Sequence, residues 1–252
     1  MKHVFFYSAN SALVGLRAAA LGRLAMLPGV RVPPYFCVLA QEGPGESVAE
    51  IAAGYRMLGR CCGEADPLVS VRLAKVGITK GRAPLIKVRG LTALFEAIGR
   101  LQKSASWDEG DNRAAAPVFG ACFPVGVPVI VQGTVDEPVA FGIVSTAPRA
   151  AIAIYAVPSL RLPGLGAATA WVFDLTTCTL DQQRGDRCGR APLDADLILE
   201  LVMQVRCIGG QFADRWNIQV LELEFTVDRR GAIFYTHVRP EATGHSNRAS
   251  AG

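Results

Sequence analysis

The chain has 252 residues, half of them hydrophobic, and a formal net charge of +4, enough for one large domain or two small lobes with their own cores. Its positive charges are scattered instead of gathered in a stripe, which argues against a nucleic-acid partner, and no apolar run reaches membrane-spanning length. The N-terminal MKHVFFYSAN lacks a secretory leader's apolar core and cleavage pattern, and seven cysteines (37, 61, 62, 122, 178, 188, 207) fit neither zinc spacing nor a paired framework, so the expected location is a reducing cytoplasm.

Helical spacing of Leu13, Leu16, Ala20, Leu24 and Leu27 predicts a helix over Ser11–Leu27, stopped by Pro28-Gly29. The paired prolines of VRVPPYFCVLA predict a turn into a strand. Ser47-Val48-Ala49-Glu50 has the form of a capping box opening a helix to about Arg60. A short buried strand over Leu68–Arg72 follows, then a basic glycine-containing loop, AKVGITKGRA. Leu85–Val88 reads as a strand and Leu91–Lys103 as an amphipathic helix. The polar, acidic stretch Ser104–Ala116 is the expected linker.

Beyond it the character changes. Pro128–Gly133, Val139–Ser145, Ala151–Val157 and Ala170–Leu175 are apolar, β-branched runs, hence strands. Thr176–Pro192 reads as loop. Leu193–Gly209 reads as a helix whose first turn is favoured by Asp194 and Asp196 at the positive end of the dipole. Helices first and strands second predict an α+β protein of two lobes, residues 1–115 and 116–242, with a flexible tail over 243–252.

The last stretch before the tail, LELEFTVDRRGAIFYTHVRP, carries the chemistry. Two alternating runs flank Asp228-Arg229-Arg230-Gly231, a hairpin signal in which Gly supplies the positive φ of a tight turn. Alternation sends Leu221, Leu223 and Phe225 to one face and Glu222 and Glu224 to the other. A four-residue turn would set Glu222 opposite His237 and Glu224 opposite Tyr235, with Arg239 on the same face. Carboxylates on a rigid strand suit Mg²⁺, and a neighbouring guanidinium suits phosphate. The competing reading is a plain amphipathic hairpin with a solvated charged face.

Read in order, the segments resemble the ATP-grasp nucleotide-binding domain that opens phosphoenolpyruvate synthase, pyruvate phosphate dikinase and rifampin phosphotransferase. That family's G-G-K and V-P-x-G-F segments resemble Val14-Gly15-Leu16-Arg17 and Val32-Pro33-Pro34-Tyr35-Phe36. Its V-R-S-S-A and L-N-V-R-G resemble Val71-Arg72-Leu73-Ala74 and Ile86-Lys87-Val88-Arg89-Gly90. The hinge V-V-V-Q-x-M-V resembles Val129 to Val135, the strand after it Ala140 to Pro148, and G-L-G-E resembles Gly164-Leu165-Gly166-Ala167. D-I-E-W-A and Q-x-R-P-E-T resemble Glu222 to Thr226 and His237 to Ala242. The match spans nearly the whole chain, collinearly.

The resemblance implies a two-lobed ATP-grasp-like fold with ATP and Mg²⁺ between the lobes. It implies Arg17 and Arg72 near phosphates, Gln132 near the base, Glu222 and Glu224 on the metal, and Arg239 and His237 beside the transferred group. The chain departs from the family at Arg17 (Lys expected), Ala167 (Glu) and His237 (Gln), and in a shortened phosphate loop where Lys75, Gly77, Thr79, Lys80 and Gly81 either substitute as a basic phosphate-binding loop or form a solvated turn. None of His3, His237 and His245 has the family's phosphohistidine context. The expected activity is therefore phosphate transfer to, or carboxylate activation of, a small molecule, or phosphoryl transfer with a separate phosphohistidine or acceptor-domain protein. The same departures allow a catalytically degenerate binding or regulatory protein, or a biosynthetic tailoring enzyme with another ligand in the cleft.

Overall fold

The computed structural model describes residues 4–39, 47–74, 85–105, 127–146, 151–158, 169–184, 192–218 and 220–241. Outside them lie the basic glycine loop (75–84), most of the expected linker, the Gly164-Leu165-Gly166-Ala167 segment and the tail. In chain order the elements are β1 (Val4–Phe6), α1 (Ser11–Ala25), β2 (Tyr35–Val38), α2 (Val48–Cys62), β3 (Val69–Leu73), β4 (Ile86–Val88), α3 (Leu91–Ala105) and β5 (Val129–Gly133). There follow β6 (Pro138–Thr146), β7 (Ala151–Pro158), β8 (Thr169–Asp174), β9 (Thr179–Arg184), α4 (Ala195–Trp216), β10 (Val220–Asp228) and β11 (Ile233–Glu241). Helices accompany two antiparallel sheets, so the class is α+β, as expected. Among the described residues no helix is long and apolar enough to cross a membrane.

The chain forms two compact units, Met1–Asp136 with Phe234–His237, and Glu137–Ile233 with Val238–Gly252. The sequence places the boundary at 115–116. It falls at Asp136 because β5, expected to open the strand-rich half, is the middle strand of the first sheet.

In the first unit the strand order is β1-β2-β5-β3-β4. One sheet face sends Phe36, Val38, Val69, Val71, Val129 and Val131 into a core with Ile51, Tyr55 and Leu58 of α2 and Leu94, Ile98 and Leu101 of α3. Each large aliphatic buried this way contributes about 1.5–3 kcal/mol of transfer free energy. The capping box does not form. Ser47 makes no side-chain cap bond to α2, its backbone lying in the helical region and not the extended one of an N-cap, and the Glu50 side chain, the other half of the box, accepts the Val4 amide at 3.0 Å and so anchors β1. That strand has no period long enough to be seen in sequence.

Helix α1 is broken at Gly15, whose φ of 79° and ψ of 162° lie in a region almost reserved for glycine. A Cβ there would sit 3.0 Å from the Ala74 carbonyl oxygen, just beyond β3. Gly15→Ala is expected to destabilise the chain by about 1–3 kcal/mol, measured by urea denaturation. An unchanged midpoint would show that the break is not imposed by the fold.

The second sheet has the order β11-β10-β6-β7-β8-β9. Cross-strand register aligns Leu223, Val144, Ile154 and Trp171 on one face, all buried. Helix α4 lies against β6 and buries Ile198, Leu201, Val202, Val205, Ile208 and Phe212. Its N-cap is Asp194, which accepts the Leu197 amide at 2.9 Å. The helix continues past the expected stop at Gly209 to Trp216; Gly209 faces Thr146, whose methyl would lie 3.4 Å from an added Cβ. Strand β9 occupies part of the expected loop over 176–192. It pairs with β8 across a turn in which Asp174 accepts the amides of Thr176 and Thr177 at 2.7 and 3.0 Å.

Candidate functional site

The first unit gathers polar groups on the sheet face away from its main core. Register sets Tyr35, Gln132 and Ser70 side by side across β2, β5 and β3, and Cys37, Ile130 and Arg72 in the next row of that face. Burial here is nearly complete: Gln132 is 1 % and Arg72 7 % exposed. Buried polar groups need partners, and these two supply each other. Arg72 Nη2 donates to Gln132 Oε1 at 2.7 Å and also to the Thr236 carbonyl on β11. Gln132 Nε2 donates to the Pro33 carbonyl at 3.4 Å.

The neighbouring backbone adds a Tyr235 amide donating to the Arg31 carbonyl at 2.9 Å. Phe234–His237 is thus held to the first unit by both a side chain and the main chain. Burial pushes the Cys37 thiol up to about 12, opposed by the Arg72 charge, so Cys37 stays a neutral packing residue at physiological pH. Arg17 is half-buried on α1, two residues after the break at Gly15. Structure therefore brings Arg72 and Gln132 together, with Arg72 tied into the fold through Nη2.

The second unit holds the acidic face. Strand β10, which carries both carboxylates, is an interior strand between β11 and β6, and β11 is the edge strand of the sheet. Glu222 and Glu224 are half-buried, opposite in sense to the buried Leu221, Leu223 and Phe225. Arg239 Nη2 donates to Glu222 Oε2 at 2.6 Å, which places guanidinium and carboxylate on one face as expected.

His237 departs from the expected arrangement. The turn is longer by one residue: Gly231 N–H donates to the Asp228 carbonyl, and the Asp228 amide donates to Ala232 instead of pairing Asp228 with Gly231. Asp228 Oδ1 fastens it by accepting the amides of Arg230 and Ala232 at 2.9 and 2.8 Å. The extra residue is a bulge that moves the register by one. Ile233 and Tyr235 are consequently buried; His237 and Val238 are then buried in succession, so the alternation breaks there and Arg239 returns to the face of Glu222, with His237 grouped in the first unit. The expected surface of two carboxylates, an imidazole and a guanidinium thus reduces to Glu222, Glu224 and Arg239.

Register also adds residues that sequence reasoning missed. Glu222 lies beside Ser145, whose row runs on through Ala153 and Val172, and Glu224 beside Ile143, whose row runs on through Tyr155 and Ala170. Tyr155 is 49 % exposed on this face. Carboxylates at one margin of an apolar, aromatic floor form a surface suited to a ligand with a charged end and a flat end. Among the described residues no group of three or more His, Cys, Asp or Glu could share a metal. Mg²⁺ is usually held by one or two carboxylates plus substrate phosphates, and two half-buried carboxylates on one strand face fit that requirement.

No family model matches the chain, and no curated protein matches it. Among solved structures, it is similar to D-alanine–D-alanine ligase from Bacillus anthracis at 10 % identity and a TM-score of 0.43, over 87 % of this chain and 54 % of that one. Similarity to the VanG D-Ala:D-Ser ligase from Enterococcus faecalis is 13 % identity and a TM-score of 0.44, over 88 % and 51 %. For the macrocyclase MdnB from Microcystis aeruginosa the values are 11 % and 0.39, over 89 % and 51 %. This chain spans about half the length of these proteins. At these values the likeness assigns no chemistry to it.

Proposed function

We propose that the chain is a divergent ATP-grasp-type enzyme that uses ATP and Mg²⁺ to transfer phosphate to a small molecule or to activate its carboxylate. The observation that carries the reading is the face of β10 and β11 where Glu224 stands next to Glu222 and Arg239 donates to Glu222 at 2.6 Å. Phosphoryl transfer asks the protein mainly for positioning and for opposite charge at the phosphates. The collinear motifs supply the remaining roles: Gln132 for the base, Arg17 for phosphate, and Arg239 for the charge of the transferred group. Bound Mg²⁺ would supply charge neutralisation between phosphate oxygens, held by Glu222 and Glu224. Arg72 orients Gln132 through their 2.7 Å bond, so its first role is to fix the base-facing amide. His237, buried on β11, takes no part in this face, and the role beside the transferred group falls to Arg239 alone. A separate phosphohistidine or acceptor-domain protein is the alternative acceptor, and the cytoplasm the expected compartment.

A second reading, a binding or regulatory protein that has lost catalysis and takes another ligand or a partner in place of nucleotide, is favoured by one observation. The groups expected to meet ligand satisfy each other, Arg72 with Gln132 and Arg239 with Glu222. Thermal shift with MgATP separates the two, because a ligand of the native state raises its stability by mass action. The enzyme reading predicts a rise in Tm at millimolar MgATP that Glu224→Ala reduces. An equal rise in the Glu224→Ala protein would remove Glu224 from the metal site.

A further inference from the structure

Glu222 already has a cation. Its Oε2 accepts from Arg239 Nη2 at 2.6 Å, with the two side chains 22 % and 44 % exposed, so the pair is partly shielded yet open to exchange. The cross-strand neighbours on β6, β7 and β8 that continue the row, Ser145, Ala153 and Val172, bring it no charge. A divalent ion bonded to that carboxylate and a guanidinium hydrogen-bonded to it are like charges at close range, so each weakens the other.

Resting on the nucleotide-and-metal reading above, we infer that Arg239 is an internal counter-ion that competes with the divalent ion for Glu222. Arrival of the metal with nucleotide releases the guanidinium to the anionic phosphates. One side chain thus exchanges carboxylate for phosphate, and metal binds poorly until a phosphate is present to receive Arg239. The exchange makes and breaks hydrogen bonds and involves no covalent step. It assigns Arg239 a function in ordering metal and nucleotide binding, beyond its charge in the transferred-group site. A guanidinium suits both partners because its planar fork matches carboxylate and phosphate alike.

Mn²⁺ titration of the full chain without nucleotide, followed by electron paramagnetic resonance, tests this. Arg239→Gln is expected to bind Mn²⁺ roughly two- to five-fold more tightly than the unaltered protein, the range for removing one partly exposed charge partner. Arg239→Lys keeps the charge and is expected to stay near the unaltered value. Glu222→Gln is expected to lose binding, and Arg239→Gln to bind MgATP more weakly despite its tighter Mn²⁺. Circular dichroism of each variant checks that it is folded. If Glu222→Gln loses Mn²⁺ but Arg239→Gln binds no more tightly, the counter-ion role is overturned while the metal site stands. If neither the unaltered protein nor Arg239→Gln binds Mn²⁺, both the inference and the metal reading fail.

Discussion

Gly142→Ala is expected to destabilise the second unit by about 3 kcal/mol, the upper part of the range for overpacking a closed core. Gly142 lies on β6 between Phe225 of β10 and Ala156 of β7. A Cβ at this position would come within 2.3 Å of the Phe225 ring and 2.5 Å of the Tyr155 carbonyl oxygen. The ring is 1 % exposed and has nowhere to turn, while the carbonyl belongs to a paired strand. Phe225→Leu in the same chain would relieve the ring clash but not the carbonyl one, so rescue is expected to be partial. Guanidinium denaturation followed by circular dichroism reads the effect. A Gly142→Ala protein with an unchanged midpoint would mean that β6 does not pass under Phe225 as described.

Arg72→Met is expected to cost about 3 kcal/mol, a loss that a residue serving ligand alone would not show. The guanidinium donates to Gln132 and to the Thr236 carbonyl, and hydrogen bonds from charged donors are worth about 1.5–3 kcal/mol each. Removing the donor strips a bond from the buried Gln132 amide and another from the part-buried Thr236 carbonyl. A double-mutant cycle with Gln132→Leu is expected to show coupling of about 1–2 kcal/mol, as contacting polar residues do. Additive losses at the two positions would sever the link. Stability unchanged by Arg72→Met would return Arg72 to the role of a plain phosphate contact.

Period and punctuation made most of the elements legible in the sequence. The helix at Leu91 and the strands of the second half lie where their apolar spacing puts them. Elements without such spacing were not visible. Strand β1 has three residues and is fixed by a side chain from α2, forty-six positions away; β9, with TLDQQR, is polar and pairs only because β8 offers an edge. The domain boundary was missed for a related reason. An antiparallel β5 inserted between β2 and β3 is a long-range pairing, and composition changes at 116 carry no information about it.

At the site, alternation along the two strands of the hairpin located Glu222, Glu224 and Arg239. It could not place His237, because the extra turn residue shifts the register and a second break in alternation at His237-Val238 restores it for Arg239. Nor could it find Ile143 or Tyr155. Strands β6 and β7 are apolar on both faces, so nothing in VAFGIVS or AIAIYAV says which residues share a surface with Glu224. The link between Arg72 and Gln132 has the same origin. Sixty residues separate them in sequence, and only the register of β3 on β5 makes them diagonal neighbours. Motif resemblance assigned the two residues separate ligand contacts, whereas their geometry makes one the support of the other.

Calorimetric titration of the full chain with ATP, with and without Mg²⁺, decides whether Glu222 and Glu224 hold a nucleotide-bound metal. Saturable binding with Mg²⁺ is expected, with weaker binding when Mg²⁺ is withheld and loss of that Mg²⁺ dependence in Glu222→Ala and Glu224→Ala. Absence of heat at millimolar ATP with Mg²⁺ present, in a protein shown to be folded, would contradict that assignment.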